Sequence, residues 1–327
     1  MRMPTSVSRR QALVTAAAGL AAWRAAPALA QAGNWPAKTV TVVVPYAAGG
    51  GTDIIARTVA QRLQERWGQS VVVDNKAGAN GTIGSAFVAK APPDGYTLLM
   101  VVGSHAINPV LMKSLPYETR TAFTPVMLLA QSPTVFVVSS TSPYKNLKDL
   151  LAAAQREEIA YGYSEGHTRL TGELARQIAK IKFLGVAYKG GAPIMVDVIG
   201  GHLPVGVTSV LTALPHVKAG KLRVIAVAAR ERMPIFPEAM TFEELGYKGV
   251  ESSSWYGMFG PAGLSPTVVA RLNTDLKAVA TDPDLKRQME GQGATLVLTP
   301  PDAFQKFLDQ ETAKWGRVAK AGGIEAE

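Results

Sequence analysis

The sequence predicts an α/β protein of two lobes joined by two connecting strands, and three observations carry that prediction. Apolar β-runs alternate with helical i, i+4 stripes along most of the chain. The alternation breaks twice, at residues 125–140 and again at 252–261. Small polar residues cluster just after the β-runs on both sides of those breaks. Alternation at this spacing implies largely parallel sheets with helices on both faces. The breaks read as two crossings between blocks, with the C-terminal block returning to the first lobe. Ligands of such sheets bind beyond the carboxyl ends of the strands, here in the cleft between lobes.

The elements follow in order. Val40–Tyr46 reads as a strand, and Ile55, Val59, Leu63 and Trp67 form a helical stripe that stops at Gly68. Ser70–Asp74 is a second strand, leading through Gly78–Gly84 into a short helix. Asp94-Gly95 is a turn before the fully apolar strand Tyr96–Val102. The β-runs Pro125–Gln131 and Thr134–Ser140 form the first crossing. Alternation then restarts with helix Leu147–Arg156, strand Ile159–Tyr163, helix Thr168–Lys180, strand Phe183–Tyr188 and helix Ala192–Ile199. Strands near Leu203–Val207 and Leu222–Ala229 follow, and Trp255–Pro261 reads as the second connecting strand. The tail carries helical patterns over Pro266–Ala280, Asp284–Glu290 and Pro301–Lys320, with a strand at Thr295–Leu298. Pro266 and Pro301 suit first helical positions. The expected boundaries are residues 33–131 plus 256–327 for lobe 1 and 132–255 for lobe 2.

Composition removes several function classes. With 327 residues, 47% of them hydrophobic, the chain is long and apolar enough for two cores. It has no cysteine, so disulfides, thiolate catalysis and cysteine–zinc sites drop out. The net charge is +9, but the first 32 residues hold four arginines and no acid, leaving 30 bases against 25 acids. Those bases are scattered, which argues against nucleic acid as a partner.

The N-terminus predicts export. Ser8-Arg9-Arg10-Gln11-Ala12-Leu13 precedes an alanine-rich apolar stretch, and Ala28-Leu29-Ala30 is an A-x-A cleavage site. Residues 1–30 therefore read as a signal peptide, of twin-arginine appearance except that Ala12 replaces a bulky apolar residue. The apolar stretch is too short to span a membrane. Cleavage near Ala30 leaves a mature periplasmic protein.

The most informative segment is Val42-Val43-Val44-Pro45-Tyr46-Ala47-Ala48-Gly49-Gly50-Gly51-Thr52-Asp53. A β-run ends at proline, passes three glycines and opens a helix. Glycines let backbone N–H groups turn toward a ligand, and a helix start adds unpaired donors and positive dipole. No Gly-Lys-Ser/Thr follows, and Gly78, Gly81 and Gly84 do not make the dinucleotide fingerprint, so no nucleotide cofactor is expected. The four histidines show no metal-ligand spacing. Gly162-Tyr163-Ser164-Glu165-Gly166 matches G-x-S-x-G between a strand and a helix, which suggests a secreted serine hydrolase as a rival reading. That reading lacks a late histidine base, since the last histidine is His216. The remaining candidates are strand-end loops: Ala47–Thr52, Gly78–Gly84, Gly103-Ser104-His105, Ser164–Arg169 and Thr208-Ser209. His105 and His167 follow strand ends, within reach of a cleft ligand. Arg169 is a cation near a helix start, placed to receive a carboxylate.

These loops also carry a resemblance. Val44–Asp53, Ala89-Lys90-Ala91-Pro92-Pro93-Asp94-Gly95-Tyr96-Thr97-Leu98, Tyr188-Lys189-Gly190-Gly191-Ala192-Pro193 and Ala213–Arg223 together resemble the Bug, or TctC-type, solute receptors of tripartite tricarboxylate transporters. The resemblance covers essentially the whole mature chain. It implies a monomeric, non-enzymatic periplasmic binding protein of type II-like architecture. Such a protein closes on a small organic carboxylate and then docks on membrane permease subunits; the rival within this reading is a ligand sensor with a signalling partner. In the family, loop backbone and ordered waters hold the carboxylate. By matching position, ligand contacts fall on Tyr46, Ala48, Gly50, Thr52, Gly81, Thr82 and Ser104, with His105 beside them. From the second lobe come Ser164, His167, Thr168, Arg169 and Thr208. Two departures stand out: Glu165 and Arg169 add charges to a loop that is commonly neutral, and Gly206-Val207-Thr208 lacks a common acid. The second departure predicts a preference for carboxylates without an amino group.

Overall fold

Val40–Val44 (β1) is buried at every residue but Thr41, as a β-branched run between two neighbours should be. It pairs in parallel with β2 (Val71–Asn75) and β3 (Thr97–Val101). These coordinates are a computed structural model that describes residues 35–326; the expected signal peptide lies outside the described residues. The chain from Lys38 onward forms one compact unit, and of the preceding unit only residues 35–37 are described.

Helix α1 (Gly51–Trp67) follows β1 and buries Ile55, Val59 and Leu63, the expected stripe, before Gly68 ends it in the left-handed region. After β2, a 3-10 turn at Ala79–Gly81 opens α2 (Thr82–Ala89). After β3 comes α3 (Ser104–Leu111), where the sequence suggested only a loop.

The first crossing is one continuous strand, β4 (Phe123–Ser139), and not two runs. Gln131-Ser132-Pro133 looks like a break because it is polar and contains proline. It is instead the place where β4 changes partners, so a missing ladder N–H is tolerated there. Ser132 Oγ fastens the handover, donating to the Gly293 carbonyl and accepting from Leu211 N.

Beyond β4 the expected alternation runs through α4 (Leu147–Arg156), β5 (Ile159–Tyr163), α5 (Gly166–Ala179), β6 (Phe183–Ala187), α6 (Gly191–Gly200), β7 (Val205–Ser209), α7 (Val210–Lys218), β8 (Leu222–Val227) and the short β9 (Met240–Thr241). Strand β10 (Ser253–Pro261) then returns antiparallel to β4. The chain closes with α8 (Pro266–Ala280), α9 (Pro283–Gly291), β11 (Thr295–Thr299) and α10 (Pro301–Ala321). Pro266, Pro283 and Pro301 open the three helices, where a missing N–H costs nothing.

The strand order is β2-β1-β3-β10-β4-β7-β5-β6, with β11 and β8 also on β4 and β9 on β8. Strand β4 therefore belongs to two sheets: its first half pairs with β10 and β11, its second with β7 and β8. Each sheet has its own core. Val43, Leu99, Phe123, Trp255, Phe259 and Phe304 fill the first. Phe136, Leu150, Ile159 and Phe242 pack on one face of the second, and Val135, Ile194, Met195 and Leu214 on the other. Trp315 of α10 packs with Ile107 and Leu111 of α3 and Leu170 of α5, bridging the two halves.

Candidate ligand-binding cleft

The Gly-rich loop is held in shape by its own acid. Asp53, in the first turn of α1, accepts from Gly49 N at 2.9 Å, Asn75 Nδ2 at 3.0 Å and Arg57 Nε at 2.9 Å. Asn75 Nδ2 also donates to the Tyr46 carbonyl. Burial would raise the Asp53 carboxyl, but the bonds from Arg57, Gly49 and Asn75 outweigh it and hold the group below the usual carboxylate range. Gly49 has φ +80°, a conformation that a side chain would strain.

Across the cleft this loop meets the other half of the molecule. Gly51 N donates to Thr212 Oγ1 at 2.9 Å, and Ala47 N reaches the Lys189 carbonyl at 3.4 Å. A Cβ on Gly51 would lie 2.9 Å from Ser209 Oγ of that half, and 2.5 Å from Tyr256 Oη on β10 of its own. A Cβ on Gly190 would lie 2.9 Å from Ala47 Cβ. The cleft is closed, and glycines make that closeness possible.

Behind the loop the Tyr46 and Ser104 hydroxyls hydrogen-bond each other, both buried. Gly81, at φ +88°, passes under the Tyr46 ring, and Thr82 Oγ1 donates to the Ala79 carbonyl. Thr52 and Gly50 are buried, whereas Ala48 is exposed on the rim.

From the second half, α5 starts two residues earlier than expected. Glu165 is its N-cap, and a capping box joins the Glu165 side chain to the Thr168 backbone and Thr168 Oγ1 to the Glu165 backbone. The Thr168 hydroxyl also accepts from Ser164 N, so it serves the cap. Burial pushes the Glu165 carboxyl up to about 7, with the Ser164 and Thr168 hydroxyls pulling the other way. Ser164 Oγ is buried without a well-formed hydrogen bond. Arg169 sits a full turn into α5, with its guanidinium 5.9 Å from the Tyr163 ring centre. It lines a cavity of about 250 Å³ with Asn80, Met112, Ser164 and Tyr188. Thr208, at the end of β7, is buried close to Gly191.

The structure does not bring every expected residue into this group. His105 follows a strand end, but its ring lies among Phe259, Phe123 and Tyr117 at centroid distances of 4.8, 4.9 and 6.3 Å. Burial pushes it down to about 3, so it is a neutral core residue and not a cleft residue. His167 is also buried and neutral, lowered by burial and then by Lys314; its Nε2 bonds Ser254 Oγ on β10 at 2.7 Å. Its place is the seam between α5 and the crossing strand. Among the described residues no histidine hydrogen-bonds Ser164 Oγ. Sequence reading placed Ser209 in a candidate strand-end loop but missed Asp53 as the brace, Thr212 across the cleft and Tyr256 beside Gly51. The spacing Ser209-x-x-Thr212 is a helix-start pattern, and Ser209 Oγ does cap α7.

Comparison with known proteins fits this geometry. The model of the tripartite tricarboxylate transporter family receptor matches residues 55–324. Protein BugT of Bordetella pertussis is 32% identical over 89% of this chain and 91% of its own. The structure of R. palustris Rpa4515 with adipate is 34% identical, covers 90% of this chain and all of its own, and gives a TM-score of 0.86. MatC from Rhodopseudomonas palustris with bound malate is 28% identical, covers 87% and 99%, and gives 0.82. A periplasmic binding protein, BugD, superposes with a TM-score of 0.85 at 32% identity. With its two-lobed fold and a family match across nearly the whole described chain, this protein belongs to the tripartite tricarboxylate transporter receptor family and is a solute-binding receptor of the Bug type.

Proposed function

We propose that this receptor captures a small organic carboxylate between the Gly-rich loop and the start of α5, and presents its closed form to membrane permease subunits. The observation that carries this reading is the interleaving at the cleft: Gly51 N of one half bonds Thr212 of the other, around hydroxyls of Tyr46, Ser104 and Ser164. Affinity then comes from contacts made by both halves at once, so ligand shifts the population toward closure. Adipate and malate in the related structures support a carboxylate as the ligand class.

In this reading the lobes are residues 33–131 plus 256–327, and 132–255. First-lobe contacts come from Tyr46, Gly50, Thr52, Gly81, Thr82 and Ser104; Ser164, Arg169 and Thr208 answer from the second. The protein works as a monomer without catalysis, exported to the periplasm with its signal peptide removed near Ala30. Among the described residues no helix is long and apolar enough to cross a membrane.

A thermal-shift panel of mono- and dicarboxylates tests the proposal. A cleft ligand stabilises by mass action, by about 2.7 kcal/mol at a hundred times its Kd. A panel in which no carboxylate raises Tm, or ester turnover that disappears in Ser164→Ala, would overturn it.

A further inference from the structure

We infer that the cavity beside Arg169 is a subsite for an aromatic ring, so that this receptor selects an aryl carboxylate over an aliphatic one, an inference that rests on reading the cleft as a carboxylate site.

Both halves build the cavity. It measures about 250 Å³ and is walled by Leu111 and Met112 at the end of α3, and by Tyr163, Ala187 and Tyr188 at the ends of β5 and β6. It adjoins the cleft hydroxyls at two points. Asn80 lines it, and the next residue, Gly81, passes under the Tyr46 ring, whose hydroxyl bonds Ser104. Ser164 lines it from the other half, with its Oγ buried and without a well-formed hydrogen bond. A ligand with its carboxylate among the Tyr46, Ser104 and Ser164 hydroxyls extends its body into this cavity.

Polar groups on the wall are engaged elsewhere. Asn80 Nδ2 donates to Asn108 Oδ1 at 2.6 Å, and Asn108 Nδ2 donates back to the Asn80 carbonyl at 3.1 Å. Tyr188 Oη donates to Asp197 Oδ2 at 2.6 Å. The remaining wall is mostly carbon: Leu111, Met112, Ala187 and two tyrosine rings. Those rings are held in place. A Cβ on Gly185 would lie 2.9 Å from Tyr163 Cε1, and one on Gly162 would lie 3.3 Å from Tyr188 Cε2, so each ring rests on a strand glycine. Among the described lining residues Arg169 is the one charged side chain, its guanidinium 5.9 Å from the Tyr163 ring centre.

Such a wall discriminates by what it cannot hydrogen-bond. An aliphatic hydroxy acid such as malate would set polar groups against leucine, methionine and alanine, and stripping them of water without partners is costly. An aromatic ring buries apolar area there, meets the tyrosines in offset or edge contact and can touch the Met112 sulfur. Its rigidity also spares the ordering cost that a flexible chain pays. The volume is that of roughly eight waters, enough for one six-membered ring with a small substituent. Arg169 offers a cation to the ring face or to an anionic substituent on it.

Isothermal titration with benzoate, hexanoate, malate and the uncharged benzamide tests this. Benzoate is expected to bind about tenfold tighter than any of the other three. A preference for benzoate over hexanoate or malate of less than about threefold overturns the inference and leaves the carboxylate reading standing. Benzamide binding as tightly as benzoate overturns the carboxylate reading, and the inference with it. Binding of none of the four overturns the inference, while the wider carboxylate panel still decides the reading beneath it. Tyr188→Leu should weaken benzoate about tenfold and malate by no more than about twofold, and Tyr188→Phe, which keeps the ring and drops the Asp197 bond, should bind benzoate as wild type does. Equal losses for both acids in Tyr188→Leu mark a merely structural tyrosine and overturn the inference. If Tyr188→Leu fails to fold by circular dichroism, Met112→Phe decides. It fills the cavity from the other half and should weaken benzoate at least about tenfold; unchanged benzoate affinity overturns the inference.

Discussion

Two of the helices that open onto the cleft, α1 and α5, start beside an acid, yet the two acids end in opposite states. Asp53 at α1 accepts bonds from an arginine, an asparagine and a backbone amide, and is held below the usual carboxylate range. Glu165 at α5 receives only its cap and neighbouring hydroxyls, and burial pushes it up to about 7. The first acid is a structural anion that shapes the Gly-rich loop. The second keeps only the bonds of its own helix start, which do not outweigh its burial. Surroundings, and not residue type, decide which carboxyl is held down and which is pushed up.

The largest expected effect breaks the first region. Gly51→Val puts a side chain where a Cβ would already lie 2.9 Å from Ser209 Oγ of the other half, so the cleft cannot close as it does here. Carboxylate affinity should fall at least about 100-fold, and the free protein should also melt lower, because the same Cβ crowds Tyr256 Oη within its own half whether the cleft is open or shut. Calorimetric titration beside a circular dichroism melt checks both halves of that statement.

Removing the brace should come next. Asp53→Ala leaves Asn75 and Gly49 without their acceptor and is expected to cost about 2–3 kcal/mol of stability. The sign with pH follows from the depressed carboxyl: its stabilisation is present above the unfolded value near 4 and is lost as pH falls through the folded value. The variant should therefore lose less stability than wild type on acidification, as urea melts at several pH values will show.

Glu165 should behave in reverse. Its folded value lies above its unfolded one, so wild type is favoured below about pH 4.5 and loses stability as pH rises toward about 7. Glu165→Gln should flatten that decline and be about 1–2 kcal/mol more stable than wild type at about pH 8, relative to their difference at low pH. The smallest effect is expected at Arg169. Arg169→Ala should weaken carboxylate binding about fivefold to tenfold, the size of one partly exposed charge-assisted contact. Unchanged affinity would take Arg169 out of the site.

Much of this was legible in the sequence because periodicity and glycine have direct physical meaning. The stripe of Ile55, Val59 and Leu63, the alternating strands and the glycine loop all appear where the pattern puts them. What escaped depends on partners distant in sequence. Pro133 looked like a strand break because nothing local shows that β4 changes sheets there. His105 looked like a cleft residue because a strand-end position does not reveal that the ring turns into an aromatic core. Helix α3 was hidden because Gly103-Ser104-His105 reads as a strand-end loop, whereas Ser104 and His105 open the helix. Asp53 was read as the end of a loop, although its role is set by Asn75, brought alongside by the β1–β2 pairing.

The unbroken β4 has a mechanical consequence. A receptor whose halves hang on loose loops can approach a ligand from many directions. Here the halves share one 17-residue strand, laced to β10 by backbone pairing from Pro133 to Phe123. Bending is left to the few residues around Ser132–Thr134 and Ser252–Ser254, so the molecule works as a door on two pins. Motion about two such pins brings the same edges together each time.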